Sequence, residues 1–207
     1  MPEIAGSLWS VSPSEQVAQV ERLKDLGLRR LHWDTTDGRF ASPGGFTAEQ
    51  ARQLTQTTGL AAEAHLMVQR PLREVDAWAD FCDLVVVHAE SDDWDLAVDR
   101  IARRGCRPGV AISPQTPVTV VPDDLVALCM SIVPGTAGSA FDESVLLKVQ
   151  ALHAASPTRR IGVDGGIQRR HADRLSAAGA GWLVVGTDLF SESGAERWAG
   201  LLATRGT

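Results

Sequence analysis

Residues 29–38 read RRLHWDTTDG. The first six form a short run of strand type, and they end on two residues that carry chemistry, His32 and Asp34. Side chains two apart on a strand share a face. If Leu31 and Trp33 face outward to covering helices, His32 and Asp34 face inward together at the strand's C-terminal end. A strand-end His and Asp also commonly serve only to cap a loop, so the pair gains weight from what the other strands place beside it.

Seven more runs of this kind follow from the spacing: 4–9, 61–66, 83–88, 108–112, 125–132, 160–164 and 182–186. Between them lie stretches with apolar residues at helical spacing. In 13–26, Val17, Val20, Leu23 and Leu26 recur every third residue, Pro13, Ser14 and Glu15 suit a first turn, and Gly27 suits a stop. Residues 47–58, 71–81, 92–104, 142–154, 169–178 and 194–203 repeat the theme. The stretch 114–123 holds three prolines and supports at best a short helix. Strands alternating with helices imply a parallel sheet, because parallel neighbours need a crossover. Eight such units, many with polar strand ends, favour a closed (β/α)8 TIM barrel over an open doubly wound sheet. With 207 residues it is a compact barrel, since about 250 is typical. No linker or composition break divides the chain, so residues 1–207 read as a single domain.

Net charge is −6, which disfavours nucleic acid as a partner. No apolar run approaches the roughly 18 residues of a membrane helix, and the N-terminus shows no signal-peptide pattern. Cys82, Cys106 and Cys129 have no paired spacing and read as reduced, mostly buried thiols. A cytoplasmic protein is expected.

In such a barrel the site lies at the C-terminal strand ends. His65 closes the third strand; alone it would read as a core histidine. Asp164 closes the seventh, before Gly165-Gly166; alone it would read as a turn aspartate. Together with His32 and Asp34 they make two imidazoles and two carboxylates, a donor set for Zn, Mn, Fe or Co. Asp34 and Asp164, on well-separated strands, also suit proton removal from one face of a carbon and return to the other. Gly165, Gly166, Gly186 and Thr187 fit the phosphate position of many barrels. The glycine-containing stretch 134–138 reads as a loop that folds over a ligand or as a simple turn. His88 and Glu90 read as rim residues that either support the site or are merely satisfied. His153 and His171 read as surface residues.

The chain resembles the ribulose-phosphate 3-epimerase family in ordered blocks along nearly its whole length. These are Ser7-Leu8-Trp9-Ser10, LHWDTTDGRF from 31, AHLMV from 64, VVHAES from 86, SPQTP from 113, MSIVPGTAG from 130, VDGGI from 163 and VVGTDLF from 184. The resemblance implies one divalent metal ion, zinc first with Mn, Fe or Co as alternatives, on His32, Asp34, His65 and Asp164. Asp34 and Asp164 would be the acid/base pair, inverting C3 of a ketose phosphate through a metal-bound enediolate. D-ribulose 5-phosphate to D-xylulose 5-phosphate is the default reaction. Ser7 and His65 would touch the sugar, Met67 and Met130 would line the reacting carbons, and phosphate would rest near Gly165, Gly166, Gly186 and Thr187. The loop Gly135, Thr136, Ala137 and Gly138 would close over the substrate. A homo-oligomer is expected, as is common in the family. The alternatives are another sugar phosphate of a specialised pathway, another enolate reaction, and a non-catalytic sugar-phosphate-binding relative.

The sequence departs from the family pattern in four places. Thr36 stands where a methionine is usual, Thr136-Ala137 replaces Phe-Gly, and ASPGGF follows Phe40. Asp188 follows Gly186-Thr187; facing the phosphate it would repel it, and facing away it would be harmless helix-terminal charge.

Overall fold

The alternation of strands and helices closes on itself. The computed structural model describes residues 1–203. Eight parallel strands pair in chain order, and the last pairs with the first. They are β1 Glu3–Ser7, β2 Arg30–Thr36, β3 Ala61–Met67, β4 Leu84–His88, β5 Arg107–Ile112, β6 Val126–Met130, β7 Ile161–Asp164 and β8 Trp182–Val185. The covering helices are α1 Gln16–Asp25, α2 Ala48–Thr58, α3 Val75–Ala79, α4 Trp94–Arg103, α5 Val145–Ala155, α6 Arg169–Ala178 and α7 Gly194–Leu202. Between β5 and β6 the chain makes only the 3-10 turn Val118–Val120. The prolines there leave too few backbone donors for a full helix. None of the described helices is long and apolar enough to cross a membrane, and the three cysteines are free and buried.

Two expectations need adjusting. The first and sixth strands are shorter than their apolar runs, because Leu8-Trp9 and Ser131-Ile132 have already turned into the rim loops. In α1 the buried stripe is Gln16, Val20 and Leu23, while Val17 is exposed. Residues spaced strictly by three drift around a helix of 3.6 residues per turn, so Val17 and Leu26 cannot share one face.

Strand alternation sorts β2 as the pattern requires. Leu31 and Trp33 are fully buried in the layer between strands and helices, where the Trp33 indole N–H donates to Thr55 Oγ1 of α2 at 3.0 Å. Arg30, His32 and Asp34 face the axis. Below the site, Ala5, Leu84, Val86, Leu128 and Val184 pack around the fully buried Trp182, and the buried Glu63 lies beside Arg30 there.

The β2–α2 loop is laced back onto its own strand. Phe46 N–H donates to the Asp34 carbonyl at 2.9 Å, and the Thr36 hydroxyl donates to the carbonyls of Ser42 at 2.7 Å and Gly44 at 3.2 Å. Thr36 thus fastens a loop and does not line the cavity. Gly45 has φ +77°, and a Cβ there would collide with the Asp34 carbonyl oxygen. Gly45→Ala is therefore expected to cost at least the order of 1–3 kcal/mol of backbone strain. Urea denaturation of the variant against wild type measures it, and an unchanged midpoint would contradict the reading.

Candidate metal and proton-transfer site

Ligand atoms of His32, Asp34, His65 and Asp164 all lie within 4.8 Å of one another. The barrel register explains the convergence: Asp34 pairs with His65 across β2 and β3, while Asp164 ends β7 on the other side of the mouth. His65 Nδ1 lies 3.1 Å from Asp34 Oδ1 and 3.4 Å from Asp164 Oδ2. The Ser7 hydroxyl donates to Asp34 Oδ2 at 2.8 Å.

His32 is oriented from below. Its Nδ1 is 2.8 Å from Glu63 Oε1, which also accepts the Trp182 indole N–H at 3.0 Å. Glu63 is fully buried. With Glu63 as an acceptor, Nδ1 carries a proton and Nε2 is the nitrogen turned into the cluster, where it would ligate an ion as the neutral ring. That Nε2 is buried and makes no hydrogen bond, although Asp34 Oδ1 is 3.3 Å away.

Electrostatics draw positive charge to this spot. Burial would push the His32 pKa down, but Asp34 and Glu63 outweigh it and hold it well above the usual imidazole value. His65 is also raised: burial opposes, and Asp164 and Asp34 prevail. Burial likewise opposes ionisation of Asp34, yet His32 and His65 keep it well below the ordinary carboxylate range. An orphaned imidazole nitrogen, a second imidazole and two carboxylates within one ion's reach match the donor chemistry of a divalent N/O site. These four residues could hold such an ion.

A cavity of about 560 Å3 opens above the carboxylates, the usual size range for a small-molecule site. Its lining includes Ser7, Asp34, Met67, Met130, Gly135, Thr136, Ala137, Gly138, Asp164, Gly165, Gly166, Gly186 and Thr187. Two residues of the expected site do not line it. His32 and His65 are fully buried behind the carboxylates, so the structure sets His65 among its polar partners and away from the space a sugar would fill.

The loop after β6 is seated on Gly166, where φ is +58° and an added Cβ would fall 2.7 Å from both Ser139 O and Phe141 N. His171 was expected at the surface, but it is buried. Its ring stacks on Phe141 at 4.2 Å, and its Nδ1 accepts the Gln168 N–H at 3.1 Å. The cause is its place in the first turn of α6, directly under that loop. His153 is exposed as expected. Asp188 lines the cavity, but its carboxylate is engaged by neighbours. Its Oδ2 accepts the Arg169 N–H at the start of α6 and the Trp198 indole N–H, and its Oδ1 pairs with Arg197 at 2.9 Å.

Glu63 and Arg170 escaped the sequence reading. Glu63 sits two residues before His65, on the same strand face, and a glutamate inside an apolar strand is the signal that could have found it. Arg170 lines the cavity beside the glycine pairs and has no carboxylate partner among the described residues. Only its position on α6 relative to β7 reveals it.

The family described as "Ribulose-phosphate 3 epimerase family" matches residues 3–190. The chain is 33% identical over 199 residues to the cytoplasmic isoform of ribulose-phosphate 3-epimerase of Oryza sativa subsp. japonica, covering 91% of this chain and 87% of that protein. It is 30% identical over 207 residues to ribulose-phosphate 3-epimerase of Bacillus subtilis, covering 93% and 94%. Among solved structures, 3-hexulose-6-phosphate synthase superposes with a TM-score of 0.72 at 14% identity, over 97% of this chain and 98% of that one. KGPDC from Streptococcus mutans gives 0.70 at 11% identity, over 97% and 95%. At that identity the two structures speak for the barrel alone.

Proposed function

Because the chain belongs to the ribulose-phosphate 3-epimerase family, and so among the carbohydrate epimerases, we propose that it inverts C3 of a ketose phosphate, D-ribulose 5-phosphate and D-xylulose 5-phosphate being the default pair. The observation that carries this is the placement of two carboxylates, Asp34 from β2 and Asp164 from β7, over one cavity floor.

One carboxylate takes the C3 proton, the C–H electron pair becomes the C2=C3 bond of an enediolate, and negative charge moves to O2. The other carboxylate, carrying a proton, delivers it to the opposite face of C3. The reverse reaction exchanges their roles. Ser7 holds Asp34 in orientation through its hydrogen bond. His32, Asp34, His65 and Asp164 would hold a divalent ion, zinc in the first instance, which would supply Lewis-acid stabilisation of the oxyanion charge. Met67 and Met130 give the reacting carbons an apolar, polarisable wall. The loop carrying Gly135–Gly138 shields the cavity from water, which strengthens every charge interaction within it.

The phosphate is assigned to the cradle of Gly165, Gly166, Gly186 and Thr187, with Arg170 as a cationic side wall. Arg170→Ala is expected to raise KM for the ketose phosphate about 10-fold, the loss of roughly one charge-assisted hydrogen bond. kcat should stay within about twofold. Steady-state kinetics on the phosphorylated and unphosphorylated ketose check this; an equal effect on both would remove Arg170 from the phosphate. The reaction itself is tested by following ribulose 5-phosphate in metal-replete protein, with allulose 6-phosphate as the competing substrate. No turnover of ribulose 5-phosphate would overturn the default, and faster turnover of allulose 6-phosphate would move the assignment to a hexulose phosphate.

A further inference from the structure

A polar chain runs from the site into the β4 and β5 loops. His65 Nε2 lies 2.9 Å from His88 Nε2, and His88 Nδ1 lies 2.9 Å from Glu90 Oε2. The other Glu90 oxygen, Oε1, accepts the Ser113 N–H at 2.8 Å and the Thr116 hydroxyl. Lys148 from α5 fixes that loop by donating to the carbonyls of Ser113 at 2.7 Å and Thr116 at 2.6 Å. Phe40 packs over His88, ring centres 4.7 Å apart, and both histidines are fully buried.

The direction of this chain follows from donor and acceptor rules. A carboxylate only accepts, so His88 presents Nδ1–H to Glu90. A neutral imidazole has one N–H, so His88 Nε2 is then an acceptor. Two imidazole nitrogens 2.9 Å apart need one proton between them, which places it on His65 Nε2. Nδ1 faces Asp34 Oδ1 at 3.1 Å and Asp164 Oδ2 at 3.4 Å; a His65 that ligates an ion must be neutral there, and with its one proton held on Nε2 by His88 the lone pair falls on Nδ1. If Glu90 were uncharged, the chain could run in reverse, with His65 Nδ1–H facing the carboxylates and no lone pair offered to an ion.

We propose that Glu90 and His88 are a positioning pair that keeps the proton of His65 on Nε2 and so presents its Nδ1 lone pair to the cluster. This rests on the reading of the cluster as a metal site. It gives the fourth strand a part in the reaction without any contact to substrate, the same part that Glu63 plays for His32.

The test is zinc affinity together with the state of the His65 ring. Apo wild type and Glu90→Gln are titrated with Zn2+ against a competing chelator. The zinc-loaded wild type, labelled with 15N histidine, is examined for the protonated nitrogen of His65. The expected results are an N–H on Nε2 and an unprotonated Nδ1 in zinc-loaded wild type, and a 10–100-fold weaker zinc affinity in Glu90→Gln. A purely structural role for Glu90 would lower the melting temperature without moving either reading. Equal zinc affinity in the two proteins, or a protonated Nδ1 in zinc-loaded wild type, overturns the positioning pair while leaving the metal site intact. Failure of wild type to take up zinc overturns the metal site and the inference with it. The ring measurement needs no variant, so it stands even if Glu90→Gln does not fold.

Discussion

Asp164→Asn is expected to lower kcat for ketose-phosphate epimerisation by about 10^2- to 10^4-fold, the range for loss of a positioned general acid or base. Asparagine is nearly isosteric with aspartate and keeps an oxygen toward His65, but it can neither take nor return a proton. Asp164 closes a four-residue strand and is partly open to the cavity, so the barrel should tolerate the change with little loss of melting temperature. Stopped-time assays in both directions check the prediction. Because both carboxylates act in each turnover, both directions should fall together; a variant within tenfold of wild type would remove Asp164 from the proton-transfer pair. Metal content measured on the same sample separates loss of the ion from loss of the proton carrier.

Glu63→Gln is the second large effect, and it arises at a residue that touches no substrate. Glu63 Oε1 takes hydrogen bonds from both His32 and Trp182, and its Oε2 lies 3.7 Å from the Arg30 guanidinium. Glutamine keeps one acceptor oxygen but turns an amide N–H2 toward Arg30 and removes the charge behind His32. Metal affinity is expected to fall 10–100-fold, as for other partners of ligating histidines. Stability is expected to fall by on the order of 3 kcal/mol, since a buried cation loses part of its compensation. Chelator competition and urea denaturation read the two effects. An unchanged zinc affinity would mean that His32 is oriented without Glu63.

The barrel was legible because its periodicities are local. RRLHWD alternates faces, Gly27 stops a helix, and the prolines from 114 to 122 deny a helix to the fifth unit; each is decided within a few residues. Strand ends were less legible: Leu8, Trp9 and Ile132 are apolar and continue the strand pattern, but they lie in rim loops. At the site, His32, Asp34, His65 and Asp164 could be grouped because a barrel brings strand C-termini together. What lies one layer away could not. His171 looked like a helix-surface residue, yet it is covered by Phe141 from a loop 30 positions earlier. Asp188 looked like a threat to a bound phosphate, yet its oxygens are taken by Arg169, Arg197 and Trp198. Both outcomes depend on contacts between distant segments, which no local pattern encodes. Thr36 shows the same limit: its departure from the family pattern was visible, but its role in fastening Ser42 and Gly44 was not.

The central claim is that two carboxylates on opposite sides of the mouth exchange protons with C3 from opposite faces. It is tested most directly by running the reaction of metal-replete protein on ribulose 5-phosphate in deuterated water. Following the C3 position of the product by NMR from the earliest turnovers then shows where its hydrogen came from. The two-carboxylate route predicts solvent deuterium at C3 of the inverted product, because the group that delivers the hydrogen is not the one that removed it. Inverted product that retains the substrate's own C3 hydrogen would contradict it.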